Sequence, residues 1–478
     1  MQGQGAHTGA LSPSLAPRLL AAIVAGRLSR DASRLLGRGS GTTFPGVLAQ
    51  RIAPDVLARL SAQLDQGSIL VAGTNGKTTT SRMLAGMLRC AGHRPVHNRA
   101  GANMLAGVTG AVVTHTALNG RPVGDVGLFE VDEASVPAVV QRVRPRVAIL
   151  LNLFRDQLDR YGELDRLAAL WSESLFGPDG PKTVVLNADD PGLAALAGDS
   201  DRRIVWYGLD DREAGTGVLP HAADATYCPC GNALSYDAVH YGHLGHWRCA
   251  SCGRGRPTPD VAAANIRGDG MHGTRFELRW DGHALDAFLP LPGLYNVSNA
   301  TAAAATARAM GLPDSAVLSG LRSVTAAFGR LERIRIRERE VVLWLVKNPA
   351  GFNEALRTLL QQPGSKTLVI IINDRIADGC DVSWLWDADL EMLASAGDDI
   401  AQVVCAGARA YDVAVRLKYA GFPAERQSVR IQPLDAVLQG LRLTRDDKPL
   451  YVFPTYTAML ELREQLRRRG WVGRVWED

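Results

Sequence analysis

The stretch Gly73-Thr74-Asn75-Gly76-Lys77-Thr78-Thr79-Thr80 is built from residue types that grip phosphate. Glycines let a loop turn its backbone N–H groups inward around phosphate oxygens. A helix opening from such a loop adds unpaired donors and the positive end of its dipole. Lys77 is expected to reach the terminal phosphates of a nucleoside triphosphate, and Thr78 to hold Mg²⁺. The general pattern places a glycine where this chain has Val71, so the match is to a shorter form, Gly-Thr-Asn-Gly-Lys-Thr. A second cluster is Cys228-Pro229-Cys230-Gly231 with Cys249-Ala250-Ser251-Cys252-Gly253, two pairs separated by 18 residues. Four thiolates at that spacing suit tetrahedral Zn²⁺ and leave no open position, which predicts a structural metal. His240, His243 and His246 lie between the pairs as alternative ligands, and the first pair, Cys-x-Cys, is tighter than the common Cys-x-x-Cys.

The elements that must position these groups read as α/β, since strand-like and helical runs alternate. A short buried strand is expected at Ile69 to Ala72 and a helix at Thr79 to Ala91, with Met83, Leu84, Met87 and Leu88 inward. Further strands are expected at Leu128 to Val131, Val147 to Leu151, Val184 to Leu186 and Ile204 to Trp206. A polar linker near Gly208 leads into the cysteine cluster. Beyond it come Phe276 to Leu278, Ala287 to Leu291 and an Ala-rich helix over Asn296 to Met310. A third region begins near Ile334 and carries strands Val341 to Val346, Leu368 to Ile372, Val403 to Cys405 and Tyr451 to Phe453. The expected division is a disordered 1–16, a central phosphate-binding domain over 17–333 with a zinc ribbon inserted at 224–257, and a Rossmann-like α/β domain over 334–478.

The chain has 478 residues, 46% of them hydrophobic and 21% charged, which is ordinary for a globular protein of two to four domains. A net charge of +4 is too weak to argue for nucleic acid, and the ribbon carries few basic residues. No apolar run is long enough to span a membrane. Pro17 to Leu36 reads as an amphipathic helix with Leu19, Leu20, Ile23, Val24 and Leu28 on one face and Arg18, Arg27, Arg30 and Arg34 elsewhere. Such a helix docks on its own domain or touches a membrane surface. Seven cysteines, with Cys90, Cys380 and Cys405 scattered, fit a reducing cytoplasm and one metal site better than a disulfide framework.

Other segments follow in order: Glu130 in Phe129-Glu130-Val131-Asp132-Glu133, Asn187 in Leu186-Asn187-Ala188-Asp189-Asp190, Asn296 and Asn299 in Gly293-Leu294-Tyr295-Asn296-Val297-Ser298-Asn299, and Arg330 in Gly329-Arg330-Leu331-Glu332-Arg333. Each alone fits a cap, a turn or a surface pair. Together with the phosphate loop they resemble the Mur ligase superfamily. The resemblance implies magnesium at Thr78 and Glu130, and ATP held by Gly73, Thr74, Asn75, Gly76, Lys77, Thr78, Thr79, Asn187, Asn299 and Arg330. Gln157 stands where that family has a metal-ligating histidine. Glutamine is a neutral oxygen ligand at best, so a second magnesium of the usual kind is not expected.

Lys347-Asn348-Pro349-Ala350-Gly351-Phe352-Asn353 and Asp381-Val382-Ser383-Trp384, with the ribbon, resemble the MurT family from about Arg27 onward. That resemblance implies the synthetase subunit of a lipid II isoglutaminyl synthase, partnered by a GatD-type glutaminase and working at the inner membrane face on lipid II. The α-carboxyl of D-glutamate in the stem peptide would be phosphorylated by ATP, and ammonia would displace the phosphate. Lys77, Lys347 and Asn348 are then the expected catalytic residues, Lys347, Asn348 and Asn353 facing the acyl phosphate or forming a turn at Asn-Pro. Asp381 would complete a Cys-His-Asp triad in the partner; by its residue type alone it would cap a helix starting at Val382. Two other functions remain open. One is an amino-acid-adding ligase of muramyl-peptide or folylpolyglutamate type, against which stand the ribbon and the roughly 65 residues ahead of the phosphate strand, too few for a nucleotide-sugar domain. The other is a non-catalytic protein that binds zinc and nucleotide.

Overall fold

The structure, a computed structural model, describes residues 17–35, 43–98, 101–155, 164–198, 200–215, 217–220, 223–325 and 329–472. Residues 1–16, expected to be disordered, and Gln157 lie outside the described residues.

The first part of the chain supplies β1 (Ser68–Ala72), β2 (Pro95–His97), β3 (Val126–Glu130), β4 (Val147–Leu150), β5 (Thr183–Asn187), β6 (Arg203–Leu209), β7 (Ser235–Tyr241), β8 (Leu244–Arg248), β9 (Val261–Gly268), β10 (Thr274–Trp280) and β11 (His283–Leu289). Nine of these form one sheet in the order β11-β10-β9-β6-β5-β4-β1-β3-β2, while β7 and β8 pair as a separate ribbon. From β2 to β9 every pairing is parallel, and β9, β10 and β11 are antiparallel. Every residue of β1, β3, β4 and β5 is buried, because helices cover both faces and leave no solvent side for alternation. One core cluster packs Met83, Leu84 and Met87 of the helix Lys77–Cys90 against Ile69, Val71 and Leu128. The other packs Leu70, Ala72 and Phe129 against Leu57, Leu60 and Val112.

The helix Leu294–Ala309 is buried nearly throughout. Its run of alanines lets it lie close to the sheet and to the helix Lys77–Cys90. Thr301 and Thr306 satisfy their hydroxyls by donating to the carbonyls of Val297 and Ala302, four residues back. The N-terminal helix Pro17–Leu35 docks on its own domain, against the helices Phe44–Ile52 and Leu105–Thr114. Its expected apolar face divides: Leu19 and Ile23 are buried, whereas Leu20 and Leu28 are exposed. Among the described residues no helix is long and apolar enough to cross a membrane.

The second sheet holds β12 (Arg330–Ile336), β13 (Arg339–Trp344), β14 (Lys366–Ile371), β15 (Ile400–Ala406), β16 (Gln427–Val429) and β17 (Leu450–Pro454) in the order β12-β13-β17-β14-β15-β16. All its pairings are parallel except β12–β13, and apolar clusters lie on both faces. The expected division between residues 333 and 334 falls inside β12, which belongs with this second sheet.

Candidate active site

In the first sheet β1 lies between β3 and β4, so the loop after β1 opens into a crevice at the carboxyl ends of parallel strands. That crevice gathers residues from four strand ends: Gly73 after β1, Glu130 closing β3, Asn152 after β4 and Asn187 closing β5. Gly73 has φ +135° and Gly76 φ +89°. A Cβ on Gly76 would meet Asn299 Oδ1 at 2.1 Å, so that position admits only glycine and brings the expected Asn299 onto the loop. The helix Lys77–Cys90 starts directly after Gly76, giving the cradle of backbone donors that a phosphate requires.

Lys77 is buried and folded over this loop. Its Nζ donates to Gly73 O at 2.5 Å and to Glu133 Oε1 at 2.9 Å. Burial alone would raise the Glu133 carboxyl, but Lys77 and Lys347 outweigh it and hold that carboxyl below its ordinary value. Lys347 therefore acts on the same site from the second domain. Thr78 Oγ1 donates to Glu130 Oε1 at 3.1 Å, so the two expected magnesium ligands stand together. Asn98 fixes the Glu130 backbone, accepting from Glu130 N at 2.8 Å and donating to Glu130 O at 2.7 Å. A hydroxyl and a carboxylate beside a phosphate cradle are hard oxygen donors that suit Mg²⁺.

Asn75 receives a bond on each side. Its N–H donates to Asn152 Oδ1 at 2.8 Å, and Asn348 Nδ2 donates to Asn75 Oδ1 at 3.1 Å. Asn348 also caps the helix Pro349–Leu360 by accepting from Gly351 N at 2.9 Å. One side chain thus caps its helix and touches the phosphate loop, joining the two domains there. Asn187 is buried and donates to Leu151 O at 3.0 Å, setting the strand end beside the loop. Asn296 donates to Pro292 O at 2.7 Å and anchors the start of its helix. Arg330 opens β12; its side chain lies outside the described residues. Asn353, expected near the acyl phosphate, instead pairs with Asp389 at 3.0 Å.

Between the domains is a cleft that opens to solvent. Asn75, Gly76 and Thr79 line it from the loop, Lys347 and Glu354 from the second domain, and Tyr295 from the Ala-rich helix. Asp381 does not line it. That residue is exposed and accepts from Ser383 N at 2.8 Å, and this bond holds its carboxyl below the usual carboxylate range.

The four cysteine Sγ atoms lie within 4.8 Å of one another, with Cys228–Cys252 at 3.5 Å and Cys230–Cys249 at 3.6 Å. Tetrahedral zinc at a Zn–S distance of about 2.3 Å needs sulfurs about 3.8 Å apart, so the set fits. The histidines between the pairs point elsewhere: His240 and His246 both contact Leu209 O. Trp247 Nε1 donates to Ala188 O at 3.0 Å and Gly245 N to Asp189 O at 2.9 Å, which seats the ribbon on the segment after Asn187.

Sequence reasoning missed Glu133, Asn152, Arg155 and Glu354 as parts of this site. Glu133 lies three residues after Glu130 and was open to inference. Arg155 pairs with Asp224 of the insertion and, at 3.7 Å, with Asp387 of the second domain, a contact no local pattern announces.

Residues 71–227 match the Mur ligase middle domain family, and residues 345–459 match the MurT ligase C-terminal family. The chain is 34% identical to the lipid II isoglutaminyl synthase (glutamine-hydrolyzing) subunit MurT of Staphylococcus aureus strain N315, over 94% of this chain and 97% of that protein. Identity to the same-named subunit of Streptococcus pneumoniae strain ATCC BAA-255 / R6 is 33%, over 94% and 96%. In fold, the chain is similar to a pseudomurein peptide ligase type C from Methanothermus fervidus, with a TM-score of 0.67 at 21% identity, covering 87% of this chain and 81% of that one.

Proposed function

This chain belongs to the MurT family of Mur ligases, and from that premise we propose that it amidates the α-carboxyl of D-glutamate in lipid II, giving D-isoglutamine with ATP as phosphoryl donor. The observation that carries this reading is the join between Asn75 of the phosphate loop and Asn348 of the second domain. It sets the nucleotide cradle against Lys347 across one cleft.

A carboxylate is a poor electrophile until its oxygen is made a leaving group. The loop from Gly73 to Thr79 would hold the triphosphate, with Asn187, Asn299 and Arg330 serving the nucleoside. Lys77, steadied by Glu133, and Lys347 would draw charge from the γ-phosphoryl group as it moves to the substrate carboxylate. Mg²⁺ at Thr78 and Glu130 would supply further neutralisation of that group. Asn348 would orient the acyl phosphate for displacement by ammonia. Closure of the two domains on bound substrate would exclude water, which would otherwise hydrolyse the mixed anhydride. Zn²⁺ at Cys228, Cys230, Cys249 and Cys252 would be structural.

For the ammonia source we propose a GatD-type glutaminase partner. Asp381 supports this reading: it is exposed and its carboxyl is held below the ordinary value, as suits a carboxylate lent to another protein's histidine. Exposed Ile376 and Trp386 lie on either side of it in the chain, offering apolar area for docking. The substrate's lipid would bring the enzyme to the inner face of the cell membrane.

The test is direct. Purified chain with lipid II, ATP, Mg²⁺ and ammonium chloride should yield amidated lipid II by mass spectrometry, and Lys77→Ala should yield none. Coupling of an amino acid in place of ammonia would favour the amino-acid-adding alternative and contradict this reading.

A further inference from the structure

The helix Pro349–Leu360 begins at the cap Asn348, which touches the phosphate loop. Glu354 lies six residues on. At about 1.5 Å of rise per residue it is about 9 Å along the same rigid element. Its side chain lines the cleft shared with Asn75, Gly76, Thr79 and Lys347, yet the residue is only 6% exposed. A charged side chain in the middle of an apolar-cored helix ordinarily points outward; this one points in.

Its charged neighbours on the second domain are Arg357 and, beyond it, Asp389. Arg357 Nη1 donates to Glu354 Oε1 at 2.8 Å, and Arg357 Nη2 is 3.9 Å from Asp389. Two carboxylates therefore share one guanidinium. Of the other titratable groups, Tyr241 comes from the ribbon strand β7 and is itself pushed up by burial, and Lys347 reaches the cleft from its own loop. Burial, with the Asp389 charge adding and Arg357 opposing, moves the Glu354 carboxyl up from 4.5 to about 7. A carboxyl near half ionisation at neutral pH is suited to taking and releasing a proton.

Resting on the proposed acyl-phosphate chemistry, we infer that Glu354 is the catalytic base that removes the proton from the attacking nitrogen. The nitrogen lone pair forms the C–N bond, and the C–O bond to phosphate breaks with its electron pair, releasing inorganic phosphate. The nitrogen, positively charged after attack, gives one proton to the Glu354 carboxylate, which later returns it to solvent. Without an acceptor beside the nitrogen, the adduct would expel ammonia again.

The experiment compares wild type and Glu354→Gln as full chains with lipid II, ATP and Mg²⁺, using either saturating ammonium or hydroxylamine as nucleophile. The protonated adduct of hydroxylamine is more acidic and depends less on a base. Glu354→Gln should lose about 10²-fold in kcat with ammonium, lose the rise in kcat near pH 7, and keep hydroxamate formation within about 3-fold. The proposal is overturned by amidation within about 3-fold of wild type with an unchanged pH profile. Equal loss of both products, or a raised KM for ATP at constant kcat, would also overturn it. If the glutamine variant does not fold, Glu354→Asp takes its place: selective loss of amidation supports the assignment, and equal loss of hydroxamate overturns it. Failure of the wild type to form hydroxamate would instead overturn the acyl-phosphate reading.

Discussion

The nucleotide cleft and the Asp381 segment both present carboxylates, and they are built in opposite ways. Around the phosphate loop, Glu130 and Glu133 are buried, and each is bound by the loop's own helix, through Thr78 and Lys77. Asp381 stands on the surface and is fixed by Ser383. The cleft is organised before any partner arrives, whereas the Asp381 carboxylate is held low by its bonds to Ser383 alone among the described residues. A preorganised site costs nothing to assemble at the moment of reaction. A surface carboxylate held at one oxygen can still accept from a second protein.

The largest expected effect breaks both halves at once. Lys77→Ala should lower amidation by roughly 10³-fold or more with either ammonium or glutamine, since removing one donor from a developing charge already costs about 10²–10³-fold. Next, Asp381→Asn in the complex with the glutaminase should cut glutamine-dependent amidation by on the order of 10²-fold or more while ammonium-dependent turnover stays near wild type. Loss of both activities would erase the contrast between the regions. Third, Cys228→Ser should release zinc and lower Tm by on the order of 5–10 °C, as expected when a metal-held ribbon loosens by a few kcal/mol. Because the ribbon bonds to Ala188 and Asp189, the kinetic effect should fall on KM for ATP and spare glutaminase activation.

The smallest effect is in stability. The folded Glu354 carboxyl sits near 7 against an ordinary 4.5, so folding favours its protonated form. That contribution is complete below about pH 4.5 and is lost as pH rises through about 7. Glu354→Gln, which stays neutral, should therefore be more stable than wild type at pH 8, by at most about 3 kcal/mol, and the advantage should vanish near pH 5. Denaturant melts at the two pH values measure this, and a destabilised variant at pH 8 would show that the Arg357 pairing outweighs the burial.

Much of the cleft was legible because its residues serve the backbone locally. Gly76 needs positive φ and Lys77 opens a helix; such demands leave short motifs. The cysteine pairs were legible for the same reason, as sulfur geometry needs close spacing. The strands were found with ends displaced by a few residues, since pairing across the sheet sets where each stops. Glu354 and Arg155 were not legible. Their roles come from burial and from pairing between domains, and a glutamate in a helix or an arginine in a loop looks the same on any surface. The edge strand β12 was divided wrongly between domains because its pairing with β13 is a tertiary fact.

The central claim is that the substrate's own carboxylate oxygen becomes the leaving group. Lipid II carrying ¹⁸O in the α-carboxyl of D-glutamate, turned over with ATP, Mg²⁺ and ammonium, tests it through the mass of the inorganic phosphate released. The account expects one ¹⁸O in each phosphate formed during amidation. Phosphate free of the label, alongside amidated product, would contradict it.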